Sequence, residues 1–132
     1  MNLSMAEKEM LLKIKNSKRF PVVRFELRST KDRSLLSIAL NHVWLTDIND
    51  SMETVKANAA VLQKLQDNAL IHIRYSVPAF VKSDYTVYYE SKIYELLRQT
   101  VEDGKQKPHF IFDTPFIKRG IVSLTERGQA LS

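Results

Sequence analysis

Hydrophobic and polar residues alternate along the chain with two different periods, and each period predicts a kind of element. Residues 4–18 place apolar side chains in one broad helical stripe, and Ser4 with Glu7 forms the signature of a capping box. Residues 21–29 change to a period of two, with apolar Val23, Phe25 and Leu27 alternating with charged Arg24, Glu26 and Arg28. The pattern predicts a helix followed by a strand with one solvent-exposed face.

The next apolar segment, "DRSLLSIALNHVWLTD" over residues 32–47, fits two interpretations. Its hydrophobic residues suit a buried helix, but Ile38, Leu40 and Val43 also suit a strand. We favour the helix for this segment.

The most informative pattern lies in residues 50–77. Asp50 followed by Glu53 repeats the capping signature, and no glycine or proline occurs from residue 51 to residue 68, which predicts a long helix. Helical spacing puts Val55, Leu62, Leu65 and Ala69 on the inner side and Lys56, Ala57, Ala60, Gln63, Lys64 and Asp67 on the outer side. The following "LIHIRYSV" alternates and predicts a strand that stops at Pro78.

The C-terminal half predicts one further helix and two strands. "DYTVYYESKIYELLRQTVEDGK" reads as a short aromatic strand or turn and then a helix with Gly104 at its C′ position. "HFIFD" and "GIVSLT" read as a hairpin whose cationic tip lies in "TPFIKR". With no linker or repeat, residues 1–132 are predicted to form a single domain of the α+β class.

Composition narrows the class of protein. The net charge of +5 and pI near 9.5 favour contact with polyanions such as nucleic acid, although a solvated basic surface gives the same balance. The sequence contains no cysteine, no apolar run long enough to cross a bilayer and no secretory signal pattern, so we expect a cytoplasmic protein with no membrane contact.

Residues suited to catalysis or metal binding are scattered. The three histidines, His42, His72 and His109, lie in separate segments without metal-ligand spacing, and the three glycines form no phosphate-binding loop. Asp47 and Asp50 precede a predicted helix, where carboxylates usually cap. We therefore expect a protein that is not an enzyme and that binds no metal or cofactor.

Two short motifs carry a family resemblance. Near the C-terminus, Val122, Leu124, Thr125, Glu126 and Gly128 match a "V-x-LT-x-x-G" pattern in which a strand ends and a helix begins. In "LQKLQDNALI", the residues Leu62, Leu65, Ala69, Leu70 and Ile71 have the spacing of a recognition helix that leads into a wing. Together the two motifs resemble the winged helix-turn-helix domain of MarR-like and ArsR-like bacterial regulators.

The sequence also departs from that family pattern. Ala69 stands where the family usually has glycine, and residues 78–119 separate the two wing strands. Either "LIHIRYSV" pairs with "GIVSLT" around this insertion, or "HFIFD" and "GIVSLT" form the wing alone. The predicted fold is therefore a winged helix-turn-helix with an insertion in or before the wing hairpin.

The resemblance implies a small transcriptional regulator that binds double-stranded DNA as a homodimer. The long helix would enter the major groove and the wing would grip the backbone, which makes the candidate DNA-binding residues Thr54, Lys56, Ala57, Ala60, Gln63, Lys64, Lys118 and Arg119. The sequence assigns no small-molecule effector. The alternative is a winged module for protein assembly, in which the wing and a tyrosine-rich insertion dock a partner without DNA.

Overall fold

The computed structural model describes residues 2–75 and 81–132. It has a mixed α+β fold in which helices pack on both faces of a four-stranded antiparallel sheet. In chain order the elements are α1 (Met5–Asn16), β1 (Pro21–Arg28), β2 (Leu36–Val43), α2 (Met52–Asp67), β3 (Ile71–Arg74), a 3-10 helix (Lys82–Tyr85), α3 (Thr86–Tyr89), α4 (Lys92–Gly104), β4 (Thr114–Leu124) and α5 (Glu126–Leu131). Among the described residues, no helix combines the length and apolar character required to span a bilayer.

The sheet has the order β2-β1-β4-β3, so the last strand in the chain lies between β1 and β3. β1 pairs with β4 along its whole length, from Pro21 opposite Ile121 to Arg28 opposite Thr114. Successive side chains point to opposite faces, and paired residues share a face. We call the face that carries Val22, Arg24, Glu26 and Arg28 face I, and the face that carries Val23, Phe25 and Leu27 face II.

The core lies on both faces of this sheet. On face I, α1 and α2 pack on the sheet. Their buried residues lie near Val22 and Val122 and are Met10, Leu11, Ile14, Leu62 and Leu65. On face II, the 3-10 helix, α3 and α4 pack Tyr85, Tyr88, Ile93 and Leu97 against Val23, Phe25 and Ile117. The strand predicted for residues 21–29 is confirmed as Pro21–Arg28, but its predicted solvent-exposed face is wrong, because Val22 and Glu26 on that face are buried.

The first helix begins as its sequence predicts. The Glu7 backbone N–H donates to Ser4 Oγ at 3.1 Å, and the Ser4 N–H donates to Glu7 Oε1 at 3.1 Å, which completes the capping box. The long helix α2 is also confirmed, but its N-cap is Ser51, whose Oγ accepts from the Thr54 N–H at 3.2 Å. Asp50, the predicted cap, instead accepts from the Thr46 N–H at 2.9 Å in the preceding loop.

The helix predicted for residues 32–47 is wrong, because Leu36–Val43 form the edge strand β2. β2 pairs with β1 from Leu36 opposite Arg28 to Val43 opposite Val23, with irregular register near Phe25. Its helical spacing of apolar residues does not decide its conformation, because backbone hydrogen bonds to β1 outweigh a weak local preference. As a consequence of the strand conformation, the apolar side chains of Leu36 and Ile38 are 49% and 47% exposed.

The hairpin predicted from "HFIFD" and "GIVSLT" is wrong. Residues 109–113 form no strand, and the supposed tip in "TPFIKR" is the first half of the continuous strand β4. Lys118 and Arg119 therefore lie in the middle of a strand and not at a wing tip. The other predicted pairing is confirmed, since β3 pairs with β4 from Ile71 opposite Leu124 to Arg74 opposite Ile121. The predicted strand end at residues 76 and 77 lies outside the described residues.

The tyrosine-rich segment is helical. Residues 82–89 form the 3-10 helix and α3, which corrects the predicted aromatic strand or turn, and Tyr85 and Tyr88 are each 1% exposed. The predicted helix after this segment is confirmed as α4, with Ser91 as its N-cap. Gly104 is the last residue of α4 and not its C′ residue, and a Cβ there would meet the Phe110 ring at 2.1 Å.

The end of α2 forms a Schellman motif without glycine. The Leu70 N–H donates to the Leu65 carbonyl and the Ala69 N–H donates to the Gln66 carbonyl, both at 2.9 Å. This geometry requires a left-handed residue at Ala69, whose φ is 59°. Ala69 is exposed, so its predicted place on the inner side of the helix is wrong.

Replacing Ala69 with glycine is expected to stabilise the protein by about 1 kcal/mol, because glycine adopts left-handed φ without steric cost. Chemical denaturation followed by circular dichroism measures this change. Ala57→Gly on the exposed middle of α2 is the matched control, and it should destabilise by about 1 kcal/mol. Destabilisation by Ala69→Gly would contradict the strain assigned to this residue.

Candidate nucleic-acid interface

The outer side of α2 is exposed, as its spacing predicts. The exposed candidates are Thr54, Lys56, Ala57, Ala60 and Lys64. Glu53 and Asp67 are exposed on the same helix, so the two lysines are offset by two carboxylates. Lys64 Nζ also lies 3.8 Å from Glu7 Oε1 on α1. The helix therefore offers an accessible surface without a surplus of positive charge.

Gln63, another candidate on α2, is half-buried and hydrogen-bonded to two other side chains of the protein. Its Oε1 lies 2.8 Å from His42 Nε2, and its Nε2 donates to Asp67 Oδ1 at 2.8 Å. These contacts connect α2 to the end of β2. Gln63 is thus a structural residue in this conformation.

Lys118 and Arg119 point to opposite faces of β4, since neighbouring strand residues alternate. Lys118 is opposite Arg24 on face I. Arg119 lies on face II, where its guanidinium is 5.4 Å from the Tyr85 ring centroid and 6.0 Å from that of Tyr89. The structure does not bring these cations together with Lys56 and Lys64 in one row, because Lys56 lines a cleft with α4 and Lys64 lies beside α1.

Both β4 cations nevertheless line one open cleft of about 350 Å³, which we call the β4 cleft. Its lining residues are Arg28, Tyr75, Tyr89, Phe116, Ile117, Lys118 and Arg119. Among the residues that the structure describes, the lining includes cationic and aromatic side chains and no carboxylate. Such a lining is complementary to an anion that also carries planar groups.

Arg28 is held in place at the cleft by a buried carboxylate. Its Nη2 donates to Glu26 Oε1 at 2.6 Å and its Nε donates to the same oxygen at 2.9 Å. Glu26 is only 1% exposed, and the Arg28 guanidinium lies 3.6 Å from the Phe116 ring centroid. Arg28 and Phe116 are therefore pre-organised as a stacked pair on face I.

Tyr75 forms another wall of the cleft and is held by contacts from β1 and β2. The His42 N–H donates to the Tyr75 hydroxyl at 3.1 Å, and the Arg24 guanidinium lies 4.3 Å from the Tyr75 ring centroid. The ring lies over Gly120, where a Cβ would meet it at 2.7 Å. Burial raises the pKa of Tyr75 to about 12, so the hydroxyl is neutral at physiological pH.

His42 is buried in the same network as a neutral imidazole. Because Nε2 faces the Gln63 carbonyl oxygen, it carries the proton, and Nδ1 accepts from the Tyr75 hydroxyl at 2.7 Å. The pKa of His42 is lowered mainly by burial and also by Arg24, against the raising effects of the Gln63 hydrogen bond and Asp67. His42 adopts a left-handed φ of 52°.

We expect the free energy of unfolding to fall as the pH decreases below about 6.5, the ordinary histidine value. In that range the unfolded state binds the His42 proton more readily than the folded state does, so acid favours unfolding. Asparagine tolerates left-handed φ, and His42→Asn should flatten the dependence between pH 7 and pH 5. Urea titrations at several pH values measure it, with His72→Asn on the exposed side of β3 as control. An unchanged slope in His42→Asn would contradict this assignment.

A larger groove of about 470 Å³ lies between the end of α1 and Trp44. Phe20 stacks on Trp44 with 5.1 Å between ring centroids, and Lys13 Nζ lies 5.3 Å from the Trp44 ring centroid. Arg19 at this groove is paired with Asp84 at 2.6 Å, and Glu9 also lines it. The groove lacks the surplus of positive charge that distinguishes the β4 cleft.

Within the described part of the chain, no three histidine, cysteine or acidic side chains are grouped so that they could hold a metal ion. His72 and His109 are both exposed, on β3 and after α4 respectively.

Sequence reasoning identified Lys118 and Arg119 but missed the rest of the β4 cleft. Arg28 belongs to the polar side of β1, and the alternation of apolar and charged residues in that strand was the signal that could have identified it. Tyr89 lies in the tyrosine-rich segment that the sequence analysis singled out as a docking surface, whereas Phe116 carried no local signal, because the sequence separates it from that segment.

Comparisons with known proteins assign no family. No family model and no curated protein matches the chain. One solved structure, of an uncharacterized protein from the hydrocarbon-degrading marine bacterium Alcanivorax borkumensis SK2, is similar to this chain with a TM-score of 0.49 and 14% sequence identity. The similarity covers 98% of this chain and 84% of that protein.

Proposed function

We propose that this protein binds nucleic acid through the β4 cleft. The observation that carries the proposal is the lining of the cleft, where Lys118 and Arg119 lie among aromatic rings, and where Arg28 is held by Glu26, a buried carboxylate that is not part of the described lining. The net charge of +5 supports the same partner, because phosphate backbones attract basic proteins at long range. Cations held on strands contact phosphates at a smaller entropic cost than cations on mobile tails.

A second candidate is contact of α2 with the major groove of double-stranded DNA, in a dimeric transcriptional regulator of the winged type. It is favoured by the exposed Thr54, Lys56, Ala57, Ala60 and Lys64 and by the β3–β4 pairing that follows α2. Two observations weigh against it. The segment before α2, where a helix-turn-helix has its first helix, forms β2, and Glu53 and Asp67 repel phosphate.

Fluorescence anisotropy with labelled mixed-sequence DNA, single-stranded and duplex, tests both candidates at low and moderate salt. The double variant Lys118→Ala/Arg119→Ala should weaken binding to all sequences. It should also make the plot of log affinity against log salt shallower by roughly 1.4 to 1.8 units, since each lost phosphate contact contributes about 0.7 to 0.9.

Two double variants with the same change of net charge serve as comparisons. Lys56→Ala/Lys64→Ala removes the α2 cations, and a dominant effect of this variant would favour the second candidate. Lys8→Ala/Lys18→Ala removes exposed lysines that lie outside the cleft lining. Equal effects of all three would mean that binding reflects net charge alone. Absence of binding at low salt would favour the alternative of a protein-assembly module.

A further inference from the structure

We infer that the β4 cleft selects single-stranded over double-stranded nucleic acid by stacking unpaired bases on Phe116 and Tyr89. This inference rests on the proposed nucleic-acid function and adds the class of ligand. It depends on the aromatic part of the cleft, whereas the proposed function depends on the cations.

The two rings are accessible although they lie next to buried structure. Phe116 is 37% exposed and Tyr89 is 44% exposed. Tyr89 follows the buried Tyr88 on α3 and makes an edge contact with Tyr94, at 5.8 Å between ring centroids. Large aromatic faces that stay in contact with water on a folded surface are candidates for binding.

Each ring has a cation beside it. The Arg28 guanidinium stacks on one side of Phe116, and the Arg119 guanidinium lies 6.0 Å from the Tyr89 ring centroid. Lys118 lies between Ile117 and Arg119 on the same strand and points to face I, as Phe116 does. A single strand carries bases and phosphates in alternation, and the β4 cleft offers the rings of Phe116 and Tyr89 to the bases and the cations Lys118 and Arg119 to the phosphates.

A duplex cannot use the rings in this way. Its base faces are stacked on one another, so it presents only phosphates and groove edges to a protein. Unpaired bases expose their faces and stack on aromatic side chains with little dependence on sequence. The arrangement therefore favours single strands, and DNA and RNA share the required chemistry.

Anisotropy titrations with the whole protein test the inference, with oligothymidylate, oligouridylate and a mixed-sequence DNA duplex of equal length as probes. The wild-type protein should bind the two single strands at least tenfold more tightly than the duplex. Tyr89→Leu and Phe116→Leu should each weaken single-strand binding roughly 5- to 100-fold, the range for loss of one base-stacking ring, and should change duplex binding little.

Two controls separate stacking from a structural effect. Tyr89→Phe keeps the ring and should retain single-strand affinity. Phe112→Leu removes a ring that does not line the β4 cleft and should leave the affinity unchanged. Circular dichroism spectra and denaturation midpoints confirm that each variant is folded.

The possible failures are distinguishable. Equal affinity for duplex and single strands, or no effect of the leucine variants, would overturn this inference and leave nucleic-acid binding intact. Absence of binding to every probe would overturn the proposed function as well. Preference for only one of the two single strands would identify DNA or RNA as the ligand and would still support stacking.

Discussion

Replacing Gly128 with alanine is expected to lower the free energy of unfolding by roughly 2–4 kcal/mol. A Cβ at this position would lie 1.9 Å from the Leu70 carbonyl oxygen. That oxygen belongs to the backbone of a fully buried residue, so it cannot swing aside as a side chain would. The whole of α5 must shift to relieve the contact.

The shift would break the junction that holds α5 to the end of α2. Thr125 donates from its N–H to the Leu70 carbonyl at 3.1 Å and from its Oγ1 to the Ala69 carbonyl at 2.7 Å. Its Oγ1 also accepts from the Gly128 N–H at 3.0 Å as the N-cap of α5. This network gives the "LT-x-x-G" motif a physical cause, because only glycine permits the close approach of the helix.

Trp44 is the sole tryptophan of the chain and lies outside α5, so its fluorescence in urea titrations reports global unfolding. Gln129→Ala alters the neighbouring exposed residue of the same short helix and should change stability by less than about 0.5 kcal/mol. A similarly small effect of Gly128→Ala would show that the junction can relax and would contradict the prediction.

The substitution Tyr88→Ala is expected to destabilise the protein by roughly 3–5 kcal/mol, which is typical for loss of a buried aromatic side chain. Tyr88 is 1% exposed, and its hydroxyl donates to the Pro21 carbonyl at 2.8 Å. The ring also packs near Tyr85, with 6.2 Å between centroids. Removing it leaves a cavity between α3 and the start of β1.

Two further substitutions separate the contribution of the buried ring from that of its hydroxyl group and from that of an exposed ring. Tyr88→Phe keeps the ring and loses only the hydrogen bond, so about 1–2 kcal/mol should be lost. Tyr89→Ala removes the adjacent exposed ring and should have a small effect on stability. The same urea titrations measure all three variants. Equal losses of stability in Tyr88→Ala and Tyr89→Ala would contradict the prediction, which rests on the burial of Tyr88 and the exposure of Tyr89.

Elements with a strong local signal were predictable from the sequence. The capping box at Ser4 and Glu7, the uninterrupted helical stretch of α2 and the alternation in β1 each depend on neighbours within a few residues. The β3–β4 pairing was predictable as one of two alternatives, because the strand patterns were clear and their partner was not.

Long-range pairing explains what local patterns could not predict. Residues 36–43 become a strand only because β1 offers its edge, and residues 114–119 become part of a strand because β1 pairs with them on the other side. Because of this pairing, Lys118 and Arg119 lie in the β4 cleft and not at the predicted hairpin tip. The cations of the candidate site and the tyrosine-rich segment that contributes Tyr89 were thus predictable, whereas the location of the site and the part played by Phe116 were not.

The position of β4 between β1 and β3 has a consequence for how the chain folds during synthesis. β1 and β2 leave the ribosome early and can form only a two-stranded hairpin, and isolated hairpins are marginally stable in water. β1 reaches its second partner only when residues 114–121 have been made, because Pro21 pairs with Ile121. Closing so large a loop delays the productive contacts and slows folding. Until then the edge of β1 that pairs with β4 stays open to other chains, so we expect the nascent protein to be prone to aggregation before residues 114–121 have been made.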